Sequence, residues 1–258
     1  MNAMIENERA SVGRRLTAGL FVAALGLLLA ACILMPGKFS SSLDLRKDGR
    51  FSFAYKGEIH FVSPSDFDGK KKDGSKSPRQ EQEAAQMEAV MGGMNLSDPK
   101  AAEEFARKLM RQHGWRSVRS MGKGRFDVDY AISGTLTHDF AFPVIDDFPQ
   151  ANPFVQVILR GDGSARINAP AFSSGASGSP LRNLARMSAM DKSGKETEKD
   201  EGPQLPALDG SFALTTDGVI LANNTEEGPR TDTSGSTLHW RVDENTEAAP
   251  TALINLTK

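Results

Sequence analysis

The sequence contains few of the side chains on which catalysis, cross-linking or metal binding usually depends. Cys32 is the one cysteine among 258 residues, which excludes a disulfide within the chain. No G-x-S-x-G motif of a serine hydrolase is present. The net charge is −2, and this lack of a basic excess argues against nucleic acid as a partner.

Histidine is equally scarce, with four in the chain. None stands in an H-x-H or H-E-x-x-H pattern, so no zinc motif can be read from their spacing. Three of them could still meet at one end of a sheet and hold zinc, but we expect exposed or structural histidines. The four are His60, His113, His138 and His239.

Carboxylate pairs are the remaining candidates for acid–base chemistry. Asp127 and Asp129 would share one face of a strand, and Asp146 and Asp147 are adjacent. No D-x-D-x-D-G calcium loop surrounds them, and charged side chains usually lie in solvent. We therefore predict that the protein is not an enzyme and uses no cofactor or metal. An envelope hydrolase using these carboxylates or a histidine cluster is the alternative.

One long apolar run is present, and it lies near the start of the chain. Arg14 and Arg15 precede it, and it ends in Leu29-Ala30-Ala31-Cys32. A basic segment, an apolar core and small residues at the end are typical of a secretory signal. The ending resembles the lipobox of bacterial lipoproteins, which implies a signal peptide over 1–31 and fatty acylation of Cys32.

A transmembrane anchor is the alternative interpretation of this run. The uncharged stretch continues through Met35 and is then about 20 residues long, which is enough to span a bilayer. In that case the protein would have one N-terminal helix in the inner membrane. Both interpretations place the following residues outside the cytoplasm.

Two further segments carry resemblances. PGKF at 36–39 and LDLRKDGRFSFAYKGEI at 43–59 are similar to uncharacterised envelope lipoproteins of Gram-negative bacteria. LTTDGVILANN at 214–224, followed by LHWRV, resembles the LppM-type lipoprotein domain, an α+β module implicated in envelope lipid interactions. The resemblance implies a lipid-anchored protein facing the periplasm. Because Ile33 and not Asp follows the cysteine, the outer membrane is favoured.

The rest of the chain predicts β-hairpins. Leu43 to Arg46 and Arg50 to Tyr55 alternate around Lys47-Asp48-Gly49, and an Asp-Gly pair between such strands predicts a tight hairpin. Residues 32–42 are interpreted as a lipidated tether, because PGKFSSS is typical of a linker. Further strands are expected at 115–121, 125–138, 154–159, 165–169, 210–214, 219–222, 237–242 and 252–256, with 154–169 and 210–222 as hairpins.

Two helices are expected between the hairpins. Met87, Val90, Met91 and Met94 recur at helical spacing in 81–94. A second helix has Asp98 as its N-cap, Pro99 as its first residue and Gly114 as its stop signal. Its buried face would consist of Ala102, Phe105, Ala106, Leu109 and His113.

These elements predict one α+β domain over 43–258. Its sheet would be mostly antiparallel, with the pair of helices on one face and a flexible loop at about 173–207. The segments Gly49–Tyr55 and Gly124–Tyr130 also repeat the pattern G-R-F-x-apolar-x-Y and contain both tyrosines of the protein. This echo is either a coincidence of similar hairpins or a degraded duplication.

We predict a membrane-anchored, non-catalytic binding or scaffolding module of the bacterial cell envelope. Its partners would be the membrane, through the lipid anchor, and a lipid or an envelope protein. The alternative is a carrier of a lipid or other hydrophobic ligand, with a pocket between the sheet and the helix that contains Met87 and Met94.

Overall fold

The described residues of the computed structural model form two β-sheets and one helix. They comprise 33–62, 96, 98–146, 153–175 and 205–257. The strands are β1 Ile33–Leu45, β2 Arg50–Val62, β3 Trp115–Gly122, β4 Arg125–Thr135, β5 Phe140–Phe142, β6 Val155–Leu159, β7 Ser164–Asn168, β8 Asp209–Thr216, β9 Val219–Asn223, β10 Arg230–Asp232, β11 Gly235–Asp243 and β12 Thr251–Asn255, and the helix α1 is Pro99–Leu109.

The larger sheet has seven strands in the order β10-β11-β8-β1-β2-β4-β3. β1 lies in its centre, pairing antiparallel with β2 and parallel with β8. Buried and more exposed residues alternate along β8 from Asp209 to Thr216, which is the pattern of a sheet with one covered face. The smaller sheet has five antiparallel strands in the order β5-β6-β7-β12-β9.

Aromatic side chains fill the space between the two sheets. The ring of Phe142 in β5 lies 5.0 Å from that of Tyr55 and 4.7 Å from that of Tyr130. Farther along, Phe172 stacks on Phe39 at 4.2 Å. Large aromatic residues bury much apolar surface each, so this layer is the main source of hydrophobic stabilisation for the described residues.

The helix α1 covers the other end of the same sheet face. Asp98 caps it by accepting a hydrogen bond from the backbone N–H of Ala101 at 3.0 Å, and Pro99 begins it, as the sequence predicted. The Phe105 ring packs edge-on against Phe61 at 4.9 Å. The expected buried face is confirmed at Ala102, Phe105, Ala106 and Leu109, whereas His113, beyond the end of the helix, is exposed.

The α+β class is confirmed broadly, but the pair of helices is not. Within the described residues α1 is the one helix, and the helix expected at 81–94 lies outside them. The second sheet covers most of the face where two helices were expected. Local periodicity reports which residues are buried but does not report which element buries them.

The segment expected as a tether forms the first part of a strand. β1 begins at Ile33, and residues 39–42 are paired with both β2 and β8. The serines made this stretch resemble a linker, but they follow the strand alternation: Ser40 and Ser42 are exposed and Ser41 is buried. The buried Ser41 hydroxyl donates to the carbonyl of Ala54 at 3.0 Å, which satisfies it inside the core.

One of the expected hairpins is wrong. The hairpins at 43–55 and 154–169 are confirmed, but β8 and β9 lie in different sheets and do not pair. The Asp217-Gly218 turn carries the chain from one layer to the other, and the backbone N–H of Lys47 donates to the Asp217 carboxylate at 2.7 Å. Two short strands, β5 and β10, lie between the strands that the sequence predicted.

The repeated pattern occupies neighbouring strands. β2 and β4 pair antiparallel with Tyr55 directly opposite Tyr130. The two copies are thus related by an approximate local two-fold axis at the tyrosine pair. The echo in the sequence therefore corresponds to a symmetric strand pair in the large sheet.

Candidate functional site

The four histidines do not come together. His60 contacts Glu58 at 3.2 Å on the outer face of the large sheet, and His239 is exposed on β11. His113 and His138 are exposed outside the strands and the helix. Within the ranges that the structure describes, no three His, Cys, Asp or Glu side chains are grouped so as to hold a metal ion.

The candidate carboxylates face cations across the strands. Asp127 and Asp129 share the outer face of β4, as their spacing predicted. Asp127 is paired with Arg119 on β3, and Asp129 lies 4.0 Å from the Lys56 ammonium on β2. Such cross-strand pairs are a common surface feature of sheets. Asp146 is exposed after β5, and Asp147 lies outside the described residues.

Small side chains face one another across part of the outer face of the large sheet. One row of residues paired across the strands runs over β11, β8, β1, β2 and β4, and four of its five residues are alanine or serine. The row consists of His239, Ala213, Ser42, Ala54 and Ala131. Small side chains alone specify no ligand.

The predicted attachment site lies directly before the central strand. Cys32 itself falls outside the described residues, and Ile33 opens β1 opposite Val62 at the end of β2. Leu34 and Met35 are buried. The chain therefore enters the domain at one end of the large sheet, without a spacer between position 32 and the strand.

The β3–β4 hairpin has its tip at this same end. The backbone N–H of Phe61 donates to the carbonyl of Gly124 at 2.8 Å, which places the turn level with the start of β1. Met121 is 51% exposed, and Lys123 is exposed with a φ of 52° between two glycines. We call residues 121–124 the hairpin tip.

A groove runs beside the hairpin between α1 and β3. It has a volume of about 500 Å³ and a partly apolar floor of Ala106, Met110 and Val118. Arg107 and Arg119 stand at its rim, each with a carboxylate partner: Glu103 at 3.9 Å for Arg107, and Asp127 for Arg119. The volume falls within the range of small-molecule sites.

The sequence indicated neither the groove nor the hairpin tip as a site. The groove forms only when α1 packs beside β3, an edge strand, and helical periodicity does not report that neighbour. The position of the hairpin tip depends on the pairing of β4 with β2. The signal at the hairpin tip was Gly122-Lys123-Gly124, which predicted a turn but not its position beside the start of β1.

No helix within the described ranges is long and apolar enough to cross a bilayer. The strand β1 also includes Ile33, Leu34 and Met35, which the transmembrane alternative needs for its helix.

Comparison with known proteins gives little. No protein-family model and no curated protein match the chain. Among solved structures, the chain is similar to the NMR structure of the folded domain of LppM from Mycobacterium tuberculosis. The identity is 12%, the match covers 88% of this chain and 93% of that one, and the TM-score is 0.31. This is the domain type that residues 214–224 resemble, but likeness at this level supports no further conclusion.

Proposed function

We propose that the protein is a lipid-anchored lipoprotein of the bacterial cell envelope and acts there as a non-catalytic binding module. The observation that carries this proposal is the position of Cys32. The one thiol of the chain ends an apolar run in Leu-Ala-Ala-Cys and stands directly before the first strand of a packed domain. Cleavage before Cys32 would leave the described strands and helix intact.

The start of β1 favours this proposal over the transmembrane alternative. Residues 33–35 pair with β2, so at most 17 residues, Leu16 to Cys32, are left for a helix. That number is at the lower limit for spanning a bilayer. A cleaved signal needs only a shorter apolar core, and three acyl chains on one cysteine anchor a protein firmly.

Metabolic labelling tests the anchor. The full chain is expressed in a Gram-negative host with an alkynyl fatty acid, as wild type, Cys32→Ala and Ile33→Asp. We expect label in the wild type and none in Cys32→Ala. Ile33→Asp is the matched control: it retains the thiol and should remain labelled while moving to the inner membrane. An unlabelled wild type, or equal label in Cys32→Ala, would refute the proposal.

A second candidate function is the binding of a hydrophobic ligand, for which the groove between α1 and β3 is the supporting observation. Its partly apolar lining suits an amphiphile, whose acidic head group would replace Glu103 or Asp127 as the partner of Arg107 or Arg119. The pocket expected beside the helix at 81–94 lies outside the described residues, and aromatic rings fill the space between the sheets.

Native mass spectrometry of the detergent-solubilised full chain tests this second function. We expect a lipid-sized adduct beyond the covalent anchor. Met110→Glu in the groove should remove it, whereas Ile158→Glu, similarly exposed on the small sheet, should retain it. A wild type without adduct, or an adduct unaffected by Met110→Glu, counts against the groove as a site.

A further inference from the structure

We propose that the hairpin tip, residues 121–124, is a second membrane contact, with Met121 in the headgroup region and Lys123 against anionic headgroups. This inference rests on the proposed anchor at Cys32, because the anchor brings this end of the large sheet to the bilayer. It adds an orientation, because the end of the large sheet that contains the start of β1 and the hairpin tip would face the bilayer.

The strand register determines which parts lie near the anchor. Ile33 pairs with Val62, and Gly124 accepts the backbone N–H of Phe61 next to it. The turn is therefore separated from the start of β1 by the width of β2 alone. Neighbouring strands lie about 4.8 Å apart, so the hairpin tip is about 10 Å from the attachment point. An acyl anchor with no spacer cannot hold the start of β1 far from the headgroups.

The chemistry of the hairpin tip suits an interface between water and lipid. An exposed methionine and a lysine two residues apart offer an apolar group and a cation together, the combination found in interfacial segments. Among the described residues, no carboxylate forms an ion pair with Lys123, and the nearby Asp127 is occupied by Arg119. Its ammonium group is therefore available to a lipid phosphate.

The opposite end of the molecule supplies the control. β8 runs parallel to β1, and Thr216 is level with Leu45, so the turn into β9 lies about 40 Å from Ile33 along the strand direction. Val219 stands there with an exposure of 54%, against 51% for Met121. The two apolar residues are therefore matched in exposure and differ in distance from the anchor.

Site-directed labelling of the full chain tests the proposal. Met121→Cys and Val219→Cys are each labelled with an environment-sensitive fluorophore and reconstituted in vesicles of phosphatidylcholine and phosphatidylglycerol at 7:3. An acylated Cys32 has no free thiol, so only the introduced cysteine reacts. We expect nitroxide-bearing lipids to quench the label at 121 at least about three-fold more than the label at 219. Equal quenching at both positions, with equal access to aqueous iodide, would overturn the proposal.

A charge variant identifies the headgroup. Lys123→Asn removes the charge, and asparagine tolerates a positive φ. A lysine near an anionic surface contributes about 1 kcal/mol, so docking of the label at 121 should weaken about five-fold on the 7:3 vesicles. Lys123→Arg should restore it, and pure phosphatidylcholine should show no difference between variants. An unchanged signal in Lys123→Asn would refute the role of the charge.

The labelling experiment distinguishes failure of the anchor from failure of the hairpin contact. If the wild-type chain itself reacts with the fluorophore at Cys32 and does not bind vesicles, the anchor is wrong and the orientation is lost with it. If the chain is acylated and bound, but positions 121 and 219 report the same environment, the anchor stands and the hairpin contact alone is refuted.

Discussion

The two tyrosines show how the same residue type in the same local pattern acquires different surroundings. Tyr55 is fully buried, and its hydroxyl donates to the carbonyl of Glu58 at 2.7 Å. Tyr130, directly opposite on β4, has a hydroxyl without a hydrogen-bond partner among the described residues and is 9% exposed. The environment therefore distinguishes two side chains that the sequence echo makes equivalent.

This difference predicts unequal losses of stability. Tyr55→Phe leaves the half-buried carbonyl of Glu58 without this donor and should lower the free energy of unfolding by about 1–2 kcal/mol. Tyr130→Phe is the matched control and should change it by less than about 0.5 kcal/mol. Urea unfolding of the detergent-solubilised full chain, followed by tryptophan fluorescence, measures both. Equal losses in the two variants would contradict the assignment.

Alkaline pH should also act through these residues. Burial, and to a lesser degree the charge of Glu58, raises the pKa of Tyr55 well above its ordinary value of about 10. Burial also raises the pKa of Tyr130. The unfolded chain then loses these protons at lower pH than the folded one, so stability should fall as pH rises above about 10.

Absorbance near 295 nm tests this directly, since the chain has only two tyrosines. We expect less tyrosinate in the folded protein than in the urea-unfolded chain at pH 10, and a further increase together with unfolding at higher pH. Tyr55→Phe should make the alkaline loss of stability less steep. Ionisation of both tyrosines near pH 10 without loss of structure would exclude the buried environment.

At the level of single elements, the bulge in β1 depends on one glycine of its partner. The β1–β2 register shifts between Pro36 and Phe39, and Gly57 stands opposite with a φ of 145°. A Cβ added there would lie 2.2 Å from the carbonyl oxygen of Lys38. The backbone of β1 therefore approaches β2 more closely than any side chain would allow.

Gly57→Ala should lower the free energy of unfolding by about 2 kcal/mol or more. A non-glycine residue in such a backbone conformation costs about 1–3 kcal/mol, and the clash of the added Cβ with Lys38 increases that cost. Gly122→Ala is the control, since Gly122 also has a positive φ, 80°, but open space around it. Thermal unfolding followed by circular dichroism compares the two. An equal decrease of the unfolding temperature in both variants would mean that the close contact with Lys38 does not destabilise Gly57→Ala.

Elements with strong local signals were predictable, and their partners were not. Asp98, Pro99 and the Asp48-Gly49 pair act on their own neighbours in the chain, so α1 and the first hairpin match expectation. Asp217-Gly218 carries the same kind of turn signal, yet it joins two sheets. Whether a turn returns a strand to its neighbour or to the opposite layer depends on contacts over long sequence distances. For β8 these are its ladders with β1 and β11.

The candidate site was predictable in one part only. Cys32 and the apolar run before it can be read directly from the sequence. The groove depends on the packing of α1 against β3, and the position of the hairpin tip depends on the pairing of β4 with β2. Their residues, such as Met110 and Met121, carry no sequence pattern that separates them from the other methionines of the chain.

At the scale of the whole molecule, the small sheet ends at β9, whose outer edge no other described strand pairs with. β9 is its last strand, and Val219 and Leu221 are 54% and 53% exposed. Proteins commonly protect such edges with lysine, proline or a covering segment, but the sequence VILAN of β9 contains neither residue. The edge is therefore a potential pairing site for another strand.

Leu221→Lys should lower concentration-dependent association of the detergent-solubilised chain, because a charge on the edge opposes pairing between strands. Met110→Lys, an equally conservative exposed change away from this edge, should have no effect. Static light scattering over a range of protein concentrations measures both. Association that is unchanged in Leu221→Lys would show that the β9 edge does not pair.

The central position of β1 also determines how the molecule bears a mechanical load. Tension applied at its first residue runs along the strand axis and stretches the ladders to β2 and β8 in shear, so many hydrogen bonds resist together. A peripheral strand pulled sideways would instead unzip one bond at a time. If Cys32 carries the proposed anchor, machinery that pulls the protein from a bilayer by this end would pull along the direction in which the two ladders resist together.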